Sequence, residues 1–281
     1  MIYGILVVYS EDYFADALVE FNKILRLTSS QYKLIVVFNN ILLSNKVNTF
    51  QINHIDFETV IGTNQFHEFS GWMDGLSFLK EKYKTQYKQS GYIFANDTFC
   101  KHRTYTIFHR LLFSFCSSLA VVSRKPKIAG EILKICVEID FNGMRFDSFI
   151  PTYFFSLNQS AMRLFEFNLL PNENLVNGYL TGGDDEKYFF SEKMPAVLKK
   201  HMTYMLFEGG WHNRGDLNEK NVNLIYSKAK CFLAEFNLSA NVYSNQIDII
   251  DTYYLIKILN KIRNKVPLIH SSILLILKKL K

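Results

Sequence analysis

Tyr92-Ile93-Phe94-Ala95-Asn96-Asp97-Thr98 is a short apolar run that stops at three small polar residues. An apolar run of this length, bounded by turn formers, reads as a strand buried on both faces. Its polar end then falls at the carboxyl edge of a sheet, where open α/β sheets hold their ligands.

The same pattern recurs upstream of that run. Ile5 to Tyr9, Leu34 to Phe38 and Thr59 to Ile61 read as strands, while Phe14 to Leu27 and Gly71 to Tyr83 carry helical spacing. Strands alternating with helices predict a βαβ-type, Rossmann-like nucleotide-binding half. Its strand ends are Ser10-Glu11-Asp12, Asn39-Asn40, Gly62-Thr63-Asn64 and Asn96-Asp97-Thr98, all polar.

Downstream, Thr104 to Ser118 reads as an aromatic-rich helix and Leu119 to Val122 as a strand. Lys134 to Leu157 predicts a strand, a turn at Asn142-Gly143 and a second extended segment. Pro171 to Asp185 has the composition of a mobile loop, and Glu192 to Leu206 reads as a helix ending at Gly209-Gly210. From about Ile247 the chain reads as basic amphipathic helices broken at Pro267, with apolar Leu255, Ile256 and Leu259 among Lys257, Lys261 and Arg263. Such a tail packs on the main domain or lies on a membrane surface. The predicted organisation is a domain over 1–245 and a C-terminal helical extension over 246–281.

Composition narrows the function classes. With 281 residues the chain can bury the core of one large α/β domain. A net charge of +6 is too mild to indicate nucleic acid, and the basic stretches lack the aromatic interleaving of an RNA-binding sheet. The 25 Phe and 16 Tyr suit a core and also suit carbohydrate contact. Cys100, Cys116, Cys136 and Cys231 lack CxxC or Cys/His spacing, so they read as reduced thiols. The N-terminus has no basic region and its apolar run is short, which predicts a cytoplasmic protein. No Walker A, G-x-S-x-G or HExxH motif occurs.

The chemistry centres on Asp97. An aspartate held at a strand end between Asn96 and Thr98 can ligate a divalent cation or a sugar hydroxyl, although such turns also arise for structural reasons alone. Before it comes Gly62-Thr63-Asn64-Gln65-Phe66-His67-Glu68-Phe69-Ser70-Gly71-Trp72-Met73-Asp74-Gly75-Leu76, then a helix, then the strand ending in Asn96-Asp97-Thr98. This order, with Val7-Val8-Tyr9-Ser10 at the end of the first strand, resembles glycosyltransferase family 2 and the rhamnan-synthesis-type transferases. The likeness covers residues 1 to 125 most clearly. Two positions depart from the family pattern: Asn39 stands where an aspartate is usual, and the motif has one acid.

The resemblance implies a GT-A fold with a mixed central sheet flanked by helices. It implies transfer of a sugar from a nucleotide-diphosphate donor to a saccharide or lipid-linked glycan in bacterial surface polysaccharide assembly, at the inner face of the cell membrane. Tyr9, Ser10 and Glu11 would border the base, and Asn39 would belong to the donor site. Asn64, Ser70, Gly71, Asp74, Asn96, Asp97 and Thr98 would line the rest of the donor, with Ser70 and Gly71 reading equally as a plain helix N-terminus. Asp97 would hold Mn²⁺ or Mg²⁺ with His212, and Trp211 would offer a face to the acceptor sugar.

An inverting reaction needs a carboxylate on the acceptor side. Glu192 and Asp185 are the candidates, Glu192 reading equally as an N-terminal helix charge. A different class stays open beside the enzyme: a non-catalytic nucleotide-sugar-binding subunit of an assembly complex. A nucleotidyltransferase would need a basic glycine-rich loop where the acidic Ser10-Glu11-Asp12 stands.

Overall fold

The computed structural model describes residues 1–44, 55–101, 105–183, 186–208, 217–218, 220–255 and 257–258. The chain begins with β1 (Ile2–Val8), α1 (Glu11–Thr28), β2 (Tyr32–Phe38), the single turn α2 (Ile41–Ser44), β3 (Glu58–Ile61), α3 (Glu68–Tyr83) and β4 (Gly91–Asn96). It continues through α4 (Ile107–Val121), β5 (Lys127–Gly130), β6 (Leu133–Phe141), β7 (Met144–Phe149) and β8 (Phe154–Leu157). The remainder is helical, α5 (Gln159–Leu164), α6 (Glu173–Tyr179), α7 (Glu186–Phe189), α8 (Ala196–Thr203) and α9 (Val222–Ser244), before a last strand β9 (Asp248–Asp251).

Seven strands form one mixed sheet in the order β3-β2-β1-β4-β8-β5-β9. β1 to β4 are parallel, β8 runs antiparallel to both of its neighbours, and β9 pairs parallel with β5. The parallel half follows from the sequence: its strands are buried on both faces and so lack polar alternation. Successive β1 residues serve opposite layers. Tyr3, Ile5 and Val7 join the layer containing Phe69 and Trp72 of α3 and Phe232 and Phe236 of α9. Ile2, Leu6 and Val8 join the layer containing Phe14 and Phe21 of α1 and Phe113 of α4.

Much of the aromatic content builds these layers. Trp72 is fully buried, meets Phe155 edge-on at 5.1 Å and donates its indole N–H to the Ala95 carbonyl at 3.2 Å. Phe94 stacks on Phe155 at 4.9 Å and Phe113 on Phe154 at 4.4 Å across the β4–β8 region. These pairs sit within the range where ring contacts add to burial. α3 lies close on β1 because a Cβ on Gly71 would come within 2.7 Å of Val7 and one on Gly75 within 2.8 Å of Ile5.

β6 and β7 form a separate hairpin joined at Asn142-Gly143, where φ is 53° and 78°. Both values are left-handed, which matches the twist of a two-residue hairpin and favours Asn-Gly. The Asp140 carboxylate accepts from the Gly143 N–H at 2.9 Å.

Four predicted elements are corrected. Leu119 to Val122 is not a strand, since α4 runs through Val121. Its Ser114 and Ser118 hydroxyls bond back one turn, and Cys116 and Ala120 bury against Ala129. The strand forms instead at Lys127–Gly130. The segment predicted as a loop from Pro171 contains α6, capped by Asn172, with Val176 and Tyr179 buried. The helix read from Glu192 starts at Ala196 after Pro195, and Glu192 lies exposed in the preceding turn. The tail read as helical from Ile247 first contributes β9 to the sheet, so its Ile249 and Ile250 are strand residues. Cys100, Cys116 and Cys231 are free thiols. Among the described residues no helix is long and apolar enough to cross a membrane.

Candidate functional site

The carboxyl ends of β1, β2 and β4 converge on Asp97. Its backbone N–H continues the sheet by donating to the Val7 carbonyl at 2.9 Å, which turns the side chain toward the end of β1. One carboxylate oxygen, Oδ2, accepts from the N–H groups of Tyr9 and Ser10, both at 2.7 Å. The other, Oδ1, is buried without a partner. Removal from water pushes the carboxyl up to about 6, against the two backbone bonds that favour its charged form.

Asn39, at the end of β2, ties the neighbouring pieces together. Its amide donates to the Tyr9 hydroxyl and to the His67 carbonyl, each at 2.8 Å, and to Asn64 Oδ1 at 3.4 Å. Its own Oδ1 is buried and unpaired, close against Gly62, where a Cβ would lie 1.8 Å away. Asn64 and His67 both have positive φ, 54° and 49°. Non-glycine residues hold such values only where their surroundings over-determine them. Here the His67 carbonyl receives both Asn39 and the Ser70 hydroxyl, each at 2.8 Å.

The remaining predicted donor residues divide by how they are used. Asn96 Oδ1 accepts from the Thr98 hydroxyl at 2.7 Å and shapes the turn after β4. Asp74 accepts from the Thr63 N–H at 2.7 Å and its hydroxyl at 3.0 Å, so it holds the β3–α3 loop. Ser70 and Gly71 are buried, Ser70 also accepting from the Phe66 N–H at 3.1 Å, and they serve the start of α3. Glu11 is exposed in the first turn of α1.

Glu192 makes none of the hydrogen bonds that join Tyr9, Asn39 and Asp97. Asp185, Trp211 and His212 lie outside the described residues. No protein-family model and no curated protein matches the chain.

The site also contains residues that sequence reading did not single out. Glu68, the first residue of α3, is partly exposed, and its charge is felt by Tyr9 and Asp97. From α9 come Ser227, whose hydroxyl lies 2.9 Å from His67 Nε2, and Cys231 and Glu235. Thr152, between β7 and β8, brings its hydroxyl to 2.6 Å from Glu235 Oε1 and 3.2 Å from Glu68 Oε1. The Thr152 N–H also donates to Glu235 at 3.3 Å.

Removal from water pushes the Glu235 carboxyl up to about 7. Part of the Glu235 surface stays open, but the carboxyl end turned toward Thr152 is shielded, and that end governs its protonation. Burial likewise raises the Tyr9 hydroxyl and the Cys231 thiol and lowers His67. Two carboxyls raised toward neutral pH, Asp97 and Glu235, set this edge of the sheet apart from an ordinary solvated surface. Among the described residues no group of three His, Cys, Asp or Glu side chains is arranged to hold a metal ion.

Proposed function

We propose that the protein transfers a sugar from a nucleotide-diphosphate donor to a saccharide or lipid-linked acceptor, as a GT-A-type glycosyltransferase. One observation carries the reading: Asp97, Tyr9, Ser10 and Asn39 meet in one hydrogen-bonded network at the carboxyl ends of parallel β1, β2 and β4. Open α/β sheets bind nucleotides at that edge. The mixed sheet, parallel in its first half and interrupted by antiparallel β8, also suits the GT-A expectation.

In this reading Tyr9 and Asn39 border the nucleoside, while the exposed Thr63 and Asn64 and the partly exposed Thr98 offer hydroxyl and amide groups to the rest of the donor. Asp97 keeps the β1 end in place through two backbone bonds. The described residues around Asp97 do not make up a divalent-cation site, so no step is routed through Mn²⁺ or Mg²⁺. Both ions belong in the assay as additives.

A second reading is a nucleotide-sugar-binding subunit without turnover. It is favoured by the complete burial of Asp97, whose paired oxygen is already occupied by backbone.

Incubation with UDP-, GDP- and dTDP-sugars, with and without Mn²⁺, tests both readings. Transfer to a saccharide acceptor that Asp97→Ala abolishes, with its folded signal retained, supports the enzyme. Tight donor binding without transfer supports the subunit, and no binding of any nucleotide sugar rejects both.

A further inference from the structure

The contacts of Thr152 impose a proton count. A hydroxyl carries one proton, yet this one lies within hydrogen-bond reach of an oxygen of Glu235 and an oxygen of Glu68. Both contacts are hydrogen bonds only if one carboxyl brings a proton of its own. Glu235 is the group that holds it, since burial pushes its carboxyl up to about 7. The order is then Glu235 O–H to Thr152 oxygen, and Thr152 O–H to the Glu68 carboxylate.

Glu68 is placed to use that bond. It opens α3 at the edge where β1 and β4 end, it is partly exposed, and its charge is felt by Asp97, whose Oδ1 is buried and unpaired. Asp97 itself is fully buried and cannot be reached by a bound hydroxyl in this arrangement. The charged and titratable groups facing the pair are Tyr9 from β1, Asp97 from the β4 end, His67 beside α3, and Lys228 and Cys231 from α9.

We propose that Glu68 is the carboxylate that takes the acceptor's proton at this edge of the sheet, and that Glu235, acting through Thr152, is its positioning residue. The proposal rests on the transferase reading. The acceptor oxygen bonds to the anomeric carbon, and the bond from that carbon to the diphosphate breaks, its electron pair leaving with the diphosphate. The acceptor's proton passes to Glu68.

The test compares Glu68→Gln, Glu235→Gln, Glu235→Leu, Thr152→Val and Thr152→Ser in the full chain. Glu68→Gln lowers kcat by about 100-fold or more, as loss of a general base does, with nucleotide binding by calorimetry little changed. Glu235→Gln keeps a neutral donor to the Thr152 oxygen, so the acid limb of the pH profile stays in place, whereas Glu235→Leu removes that donor and with it the orientation of the Thr152 hydroxyl, so the limb moves up. Thr152→Val removes the hydrogen bond that favours the Glu68 carboxylate, so the same limb moves up, and Thr152→Ser restores it.

Undiminished turnover in Glu68→Gln, or an unmoved limb in both Thr152→Val and Glu235→Leu, overturns the proposal. If the wild type transfers from no donor, the transferase reading fails by itself. The ¹³C carboxyl titration of Glu68 then still reports the network: it moves in Thr152→Val and in Glu235→Leu if the two acids are joined through Thr152, and stays in place if they are not.

Discussion

Replacing Asp97 by Asn separates the fold's need for this side chain from its charge. The amide oxygen of Asn can accept both the Tyr9 and Ser10 N–H groups, so the staple at the end of β1 survives while the ionisable proton disappears. In the wild type the carboxyl is raised from 3.8 to about 6. At about 1.4 kcal/mol per tenfold change in proton affinity, that is about 3 kcal/mol. The folded protein keeps the proton to higher pH than the unfolded chain does. The stability this group contributes is therefore fully present below about pH 4 and is lost as the pH rises through 6.

Asp97→Asn should match the wild type near pH 4 and exceed it by up to about 3 kcal/mol at pH 8. Urea unfolding at pH 4, 6 and 8 reads the difference directly, because contributions from other groups largely cancel between the two proteins. Equal pH slopes would refute the assigned burial effect. An Asn variant less stable than wild type at pH 8 would show that the two backbone bonds to a charged oxygen outweigh desolvation. On the proposed function, the same variant keeps the β1 staple and with it sugar transfer, whereas Asp97→Ala removes the staple and loses transfer.

Three further substitutions test the surroundings. Gly62→Ala places a Cβ 1.8 Å from Asn39 Oδ1 and forces that amide off Tyr9 and His67; it should cost about 1 to 3 kcal/mol, read as a lower denaturation midpoint together with weaker nucleotide binding. Trp72→Ala removes a fully buried indole and its bond to Ala95, and should lower stability by about 3 to 5 kcal/mol in chemical unfolding. Gly143→Ala puts a side chain at φ 78° in an open turn; a loss of about 1 kcal/mol should accompany faster hydrogen exchange in the hairpin.

The parts of the molecule governed by local chemistry were legible in the sequence. β1, β2 and β4 announce themselves as apolar runs ending in polar residues, and Asn142-Gly143 marks its hairpin turn. Burial by distant residues decided the rest. Leu119-Ala120-Val121 reads as a strand by composition, yet packing against Ala129 keeps it in α4. Ile249 and Ile250 are followed by an apolar, basic tail and read with it, although β5 claims them.

The site divides in the same way. Asp97, Tyr9 and Asn39 lie at strand ends and were found from that fact. Glu68 reads as an ordinary first-turn acid and Glu235 as a charge on a solvated helix face. No spacing links them to Thr152, because they meet only through the packing of α9 near the start of α3 and the β7–β8 turn.

Among the described residues the strand that pairs with the outer edge of β5 is β9, which the ribosome makes long after it. At typical rates of synthesis the interval between residues 130 and 251 is on the order of ten seconds. During that time β5, once paired with β8, offers the open hydrogen-bonding groups of Ile128 and Ala129 to any other strand nearby. The speed of synthesis across residues 131–247 therefore sets how long the edge of β5 waits for its partner.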